Sequence, residues 1–296
     1  TFSNAVQQDP LISHIQKKMG SSYLKDLALK WPEGDTQIKV SNNHADTDLE
    51  LATLFAKMEN VLSRIPPFFG SNSWVISGSR SKSGKVILAN DPHIGFSAPS
   101  TWYEAHLKTP DWELYGHYLA GIPFAILGHN RRMAWGVTML QNDDLDYYRE
   151  RANPANPDQV WFRDHWEELK IIAETISVKG GEDYPLRVRI SRHGPIINDV
   201  LESVEKTETQ PVALAWEMLS NFENSTEQVF YELGHSASLA DSRSAVSNLH
   251  SLGLNINYGD VEGNIAWWGA ARLVIDPAHV NSFVIHDGAS GKDEVL

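Results

Sequence analysis

The chain changes its hydrophobic period near residue 71, and that change limits what it can fold into. Upstream, apolar residues recur at helical spacing: Leu11, Ile12, Ile15 and Met19, then Leu24, Leu27 and Ala28 after Gly20-Ser21-Ser22. Trp31-Pro32-Glu33-Gly34-Asp35 ends that run in turn residues. Residues 41–48 are polar and read as an exposed linker. Asp48 then stands as N-cap of a helix carrying Leu51, Leu54, Phe55, Met58, Val61 and Leu62 on one face, stopped by Pro66-Pro67. Downstream the pattern becomes short strands and turns. Strands are expected over 72–77, 85–89, 112–119, 134–138, 159–162, 168–178, 186–190, 212–216, 255–258 and 265–268, with helices over 225–233 and 238–249. Many strands with few helices imply an α+β fold rather than a doubly wound sheet.

The balance of 25 basic against 38 acidic residues, net -13, leaves no basic stripe for nucleic acid or an anionic membrane surface. With 42% hydrophobic residues a sizeable core can form, and no stretch is apolar and long enough to span a bilayer as a helix. Cysteine is absent, which excludes disulfides, thiolate metal sites and a cysteine nucleophile. Thr1-Phe2-Ser3-Asn4 is neither an initiator Met nor a signal peptide, so the chain is expected to be a fragment or a processed product.

General motif rules find little chemistry. A serine hydroxyl needs a base, and twelve histidines are too many to choose one by counting. There is no G-x-S-x-G elbow, H-E-x-x-H, P-loop or dinucleotide fingerprint.

The order of several short words goes further. Gly70-Ser71-Asn72-x-Trp74 is followed by Asn90-Asp91-Pro92-His93, Gly121-Ile122-Pro123, Gly128-His129-Asn130, Trp135-Gly136-x-Thr138 and Arg192-His193-Gly194-Pro195, then by Asn255 ahead of Asp260-x-x-Gly263-Asn264. Over most of its length the chain resembles the penicillin acylase family of N-terminal-nucleophile hydrolases. The resemblance implies the αββα sandwich of those enzymes, incomplete in this chain. It implies that residues 1–40 are the end of a small subunit, 41–70 a spacer peptide, and 71–296 the first part of a large subunit. It also implies an enzyme that removes the acyl group from a small amide, such as a penicillin, a cephalosporin side chain or an N-acyl homoserine lactone. Its other partners are the remaining segments of the same precursor, and its location is periplasmic or secreted.

The family pattern assigns roles residue by residue. Ser71 is the cleavage point and the nucleophile: its hydroxyl attacks the Gly70 carbonyl, and once freed its α-amine, with a reference pKa of about 7.7–8.0, serves the hydroxyl as base. Glycine before it allows close approach and a strained backbone. Asn255 supplies an amide to the developing oxyanion, with Asn257 the near competitor. The Met139 backbone N–H is the second oxyanion donor, and its side chain either narrows or reshapes the pocket or fills the core. His93 orients or polarises the Ser71 head group. His106, His117, His129 and His193 are read as structural.

No cofactor is implied for the chemistry. Asp143, the Leu145 carbonyl and Asp146 match a structural calcium site whose further ligand lies upstream, and a solvated acidic turn is the competing reading of the same residues. Trp74, Phe96 and Trp102 suit an apolar acyl chain and, equally, core packing. Two further readings are a catalytically inactive fragment and a β-rich ligand-binding module with no cause to be cut before Ser71.

Overall fold

The computed structural model describes residues 68–94, 97–200, 210–220 and 226–295, together with Ile12, a buried helical residue. The upstream helices, the linker and Phe96 otherwise lie outside the described residues. The described chain divides into two compact units, one holding the residues between 68 and 142 and between 226 and 273, the other those between 143 and 220 and between 274 and 295.

The first unit opens with an antiparallel hairpin, β1 (Phe68–Ile76) and β2 (Ile87–Ile94), in which Gly70 pairs with His93 and Ser71 with Pro92. β1 therefore starts earlier than the alternation from residue 72 implied, and runs unbroken through the Gly70–Ser71 bond. A bulge between Phe68 and Gly70 shifts its register there. β3 (Trp102–Lys108), β4 (Glu113–Leu119), β5 (Leu127–His129) and β6 (Met133–Met139) follow.

The chain then enters the second unit. There β7 (Leu145–Arg149), β8 (Arg151–Asn153), β9 (Asn156–Phe162), β10 (His165–Glu168), β11 (Lys170–Ile176), β12 (Tyr184–Ser191), β13 (Gly194–Pro195) and β14 (Val212–Trp216) form three small sheets, with the short helix α1 (Glu217–Ser220) after them. Tyr148, Val160, Leu169, Ile196 and Ala213 make its core. His193 is buried there, stacked on Tyr148 with ring centroids 4.0 Å apart, and bonded to Glu150 Oε1 and Glu294 Oε1 at 2.8 Å each.

Back in the first unit come α2 (Thr226–His235), α3 (Leu239–Val246), β15 (Leu254–Asp260) and β16 (Ile265–Ala270); β17 (His286–Asp287) returns to the second and lies parallel to β7. Six strands of the first unit form one antiparallel sheet in the order β16-β15-β6-β5-β4-β3. Successive side chains on a strand point to opposite faces, and this sheet uses both. Met133, Trp135 and Val137 of β6 and Leu254, Ile256 and Tyr258 of β15 join one core with Val229, Phe230 and Leu233 of α2 and Ala245 and Val246 of α3. Ser238 caps α3, its hydroxyl accepting the Asp241 N–H at 3.2 Å. The alternate residues of β6 and β15 meet the β1–β2 hairpin. The unit is thus layered as helices, sheet and hairpin, and no second helical layer occurs among its described residues.

Two of the short words turn out to be joints. Asn130 Nδ2 donates to the Gly234 and Ser236 carbonyls at 3.3 and 2.8 Å, while its Oδ1 accepts the N–H groups of Arg132 and Met133, so it pins the end of α2 to the β5–β6 turn. Asp260 accepts the backbone N–H and side-chain amide of Asn264 at 2.8 Å each, closing the β15–β16 turn.

Candidate active site

An open cleft of about 380 Å³ lies where β1 meets the centre of the six-stranded sheet. Ser71 and Ser73 of β1 and Thr138, Asn255 and Asn257 of β6 and β15 supply its polar wall. Asn72 also reaches it, and the side chains of Trp74 and Trp267, 52% and 64% exposed, border it. Strand geometry explains the assembly. Asn255 pairs with Thr138 across the β6–β15 ladder, and Asn257 lies two residues on, on the same face.

Ser71 nitrogen is an amide here, because the chain is continuous through Gly70. The Ser71 hydroxyl donates to the Gly70 carbonyl oxygen at 2.6 Å, so the hydroxyl and the carbonyl before it are neighbours. Gly70 has φ +149°, a conformation that a residue with a Cβ rarely adopts.

Asn255 Nδ2 donates to the Met139 carbonyl at 3.0 Å. An asparagine amide carries two N–H groups; this bond fixes its plane and leaves the second for the cleft. Asn257 is used differently: its Nδ2 donates to Ser73 Oγ at 2.7 Å, and Ser73 Oγ to the Ala89 carbonyl at 3.3 Å. The Met139 side chain packs against the helix-side core, not into the cleft. Of the two readings of this side chain, narrowing the pocket is corrected and core filling holds: Thr138 has the cleft parity and Met139 the opposite one.

His93 stands opposite Gly70 rather than in the cleft wall. Its Nε2 bonds Asp91 Oδ2 at 2.7 Å, and Asn72 Nδ2 reaches the same carboxylate oxygen at 3.4 Å. These bonds, His93's first and Asn72's second, hold the Asp91 carboxyl below its ordinary value. Of the aromatic residues expected near the centre, Trp74 lines the cleft and Trp102 packs on the helix-side core. Sequence reasoning missed Ser73, Thr138 and Trp267 as site residues. The period of two would have marked Ser73 from Ser71.

The acidic cluster lies in the second unit. It is not a solvated turn: Asp144 and Asp146 are buried, and Leu145 starts β7. Burial first, then the charges of Asp143, Asp276 and Asp144, push the Asp146 carboxyl up to about 8. Asp146 Oδ1 and Asp276 Oδ1 are buried without a hydrogen-bond partner, and the buried His286 Nε2 stands 3.6 Å from the first of them. Carboxylate oxygens left in this state fit a hard cation. Among the described residues no three acidic or histidine side chains group tightly enough to hold one alone, so its remaining ligands would come from elsewhere.

In fold, the chain is similar to the thermostable penicillin G acylase from Alcaligenes faecalis, with a TM-score of 0.66 and 24% identity, over 76% of this chain and 39% of that one. The model of the penicillin amidase family matches residues 1–296, and the chain belongs to that family. Acyl-homoserine lactone acylase QuiP of Pseudomonas aeruginosa is 30% identical over 209 residues, 68% of this chain and 24% of that protein. Penicillin G acylase of Escherichia coli is 30% identical over 139 residues, 47% of this chain and 16% of that protein. The chain thus spans about a quarter of the length of QuiP.

Proposed function

We propose that this chain is part of a self-cleaving amide hydrolase whose nucleophile is Ser71. The observation that carries the reading is the Ser71 hydroxyl held 2.6 Å from the carbonyl oxygen of Gly70, on a backbone that suits glycine. Ser71 Oγ attacks the Gly70 carbonyl carbon, the C–N bond to Ser71 breaks as the nitrogen takes up a proton, and water hydrolyses the resulting ester. The free α-amine then accepts the hydroxyl proton, directly or through a water, while Oγ attacks the acyl carbon of a substrate amide. The second N–H of Asn255 and the backbone N–H of Met139 meet the negative oxygen. The leaving amine departs protonated, and water releases the acid.

The substrate class is a small acyl amide, of penicillin, cephalosporin or N-acyl homoserine lactone type; relatives named penicillin G acylase and acyl-homoserine lactone acylase support the first and the last. The rest of the precursor completes the enzyme, which works in the periplasm or outside the cell, as the family resemblance implies. Calcium at Asp143, the Leu145 carbonyl and Asp146 would support the fold and take no part in the chemistry. The test is the intact mass of the full-length product: two chains, one beginning at Ser71, with a single uncut chain in Ser71→Ala. A Ser71→Ala protein that splits at the same bond overturns the reading.

A further inference from the structure

Gly269 sits within β16, and nothing in its surroundings calls for a glycine. Its backbone is not among those with positive φ. A Cβ built on it would meet only ordinary van der Waals neighbours, Leu140 Cδ1 and Trp267 Cζ2 at 3.7 Å and Leu140 Cδ2 at 3.8 Å. Gly136 and Gly259 differ, since a Cβ there would come within 2.8 Å of Asn90 or Val86. A glycine inside a strand gives up stability, and it often marks a place where a ligand approaches the backbone closely. The position in the ladder is specific. Gly269 pairs with Asn255, and Trp267 with Asn257, so all four share the face of the sheet that carries the cleft. Leu140, two residues past Thr138, reaches the same spot.

We infer that Gly269 is a specificity-determining position: the space above it, walled by the Trp267 indole and the Leu140 methyl groups, receives an apolar group of the substrate amide. The inference rests on the serine reading proposed above and adds which wall of the site senses the substrate's size. Asn255 fixes where the reacting carbonyl lies, because its second N–H meets the oxygen. Gly269 is its direct neighbour across the ladder, where paired Cα atoms are about 4.5–5.5 Å apart, so a substituent next to that carbonyl lies over the glycine. With no side chain beneath it, a ring or branched chain can settle on the backbone and press against the indole. Bulk on the acyl half and bulk on the amine half of the substrate have the same chemistry at this spot, and the experiment separates them.

The full-length mature enzyme is assayed on two series of amides: anilides of acetyl, butanoyl, hexanoyl and phenylacetyl groups, and amides of one acyl group with amines of increasing bulk. Gly269→Ala should lower kcat/KM for the bulkiest member of one series about ten- to a hundredfold more than for its smallest. The series that responds shows which half of the substrate lies over the glycine. Trp267→Ala, which removes the wall, should reduce the preference for that bulky member about tenfold. The melting temperature of Gly269→Ala should equal or exceed the parent's, since alanine fits this backbone and restricts the unfolded chain. Equal losses across both series, no loss in either, an unchanged preference in Trp267→Ala, or a lowered melting temperature of Gly269→Ala overturns the inference while leaving Ser71-dependent turnover in place. A parent without Ser71-dependent turnover overturns the serine reading, and the inference with it.

Discussion

Asn90 bonds Val137 as a neighbouring strand would: its Nδ2 donates to the Val137 carbonyl at 3.0 Å and its Oδ1 accepts the Val137 N–H at 2.8 Å. The same Nδ2 donates to the Asn72 carbonyl at 2.9 Å. One side chain thus couples the backbone beside Ser71 to the strand beside Asn255. Gly136 makes room for it, since a Cβ there would lie 2.8 Å from Asn90 Cβ and 3.0 Å from its Oδ1.

Asn90→Ala should therefore destabilise the uncut protein by about 2–3 kcal/mol, the cost of leaving backbone groups of Val137 unpaired at a layer boundary. Urea unfolding of the full-length Ser71→Ala protein measures it. An unchanged midpoint would remove Asn90 from the account of how the layers are joined.

Gly70→Ala should slow cleavage before Ser71. A Cβ at φ +149° costs about 1–3 kcal/mol, and the backbone relaxes by moving the carbonyl that now lies beside the Ser71 hydroxyl. Uncut precursor should accumulate on a denaturing gel. Parental kinetics would show that the unusual backbone is incidental.

Asn255→Ala should lower kcat of the mature enzyme about 10²–10³-fold with little change in KM. Asn257→Ala should cost less, because its amide is already engaged by Ser73 Oγ. If the two variants rank the other way in steady-state assays on an acyl anilide, the oxyanion role belongs to Asn257.

His193 should give the second unit a pH-dependent stability. Burial pulls its imidazole down, but the bonds and charges of Glu150 and Glu294 outweigh burial, and the net direction is up from 6.5. A group raised in the folded state binds protons more tightly there than in the unfolded chain. Its contribution is then complete below pH 6.5 and is lost as pH rises through the folded value. Melting temperature across pH 6 to 9 should fall less steeply in His193→Gln than in the parent; parallel curves would contradict the assignment.

Calcium should raise the melting temperature of metal-stripped full-length protein, as any ligand of the folded state does, and Asp146→Ala should abolish the increment. A flat titration in the parent would leave the buried orphan oxygens of Asp146 and Asp276 unexplained by a cation.

Much of this was legible in the sequence where period and turn chemistry coincide. β14 spans the expected 212–216, β6 extends the expected 134–138 by one residue at each end, and the turn at 260–264 closes as its Asp and Asn imply. β3 was not legible, because most of its residues are exposed and it carries no clear alternation. β7 was hidden by Asp144 just before it and Asp146 within it, carboxylates that composition reads as surface and the fold buries. Asn255 and Ser71 could be named from motif order, but not the bond from Asn255 to the Met139 carbonyl, which depends on strands 116 residues apart in the chain. Nor could Asn90 be recognised as a joint, since nothing local distinguishes an asparagine that bonds backbone from one that bonds water.

The alternation of β15 has a consequence for how this protein can vary. Leu254, Ile256 and Tyr258 belong to the core, while Asn255 and Asn257 belong to the cleft. Inserting or deleting one residue in that strand would exchange the two sets, burying amides and exposing hydrocarbon. Length is therefore frozen there. Variation in this part of the cleft is then confined to exchanging side chains in place, and Asn255, which the proposed chemistry needs, is not among those free to change.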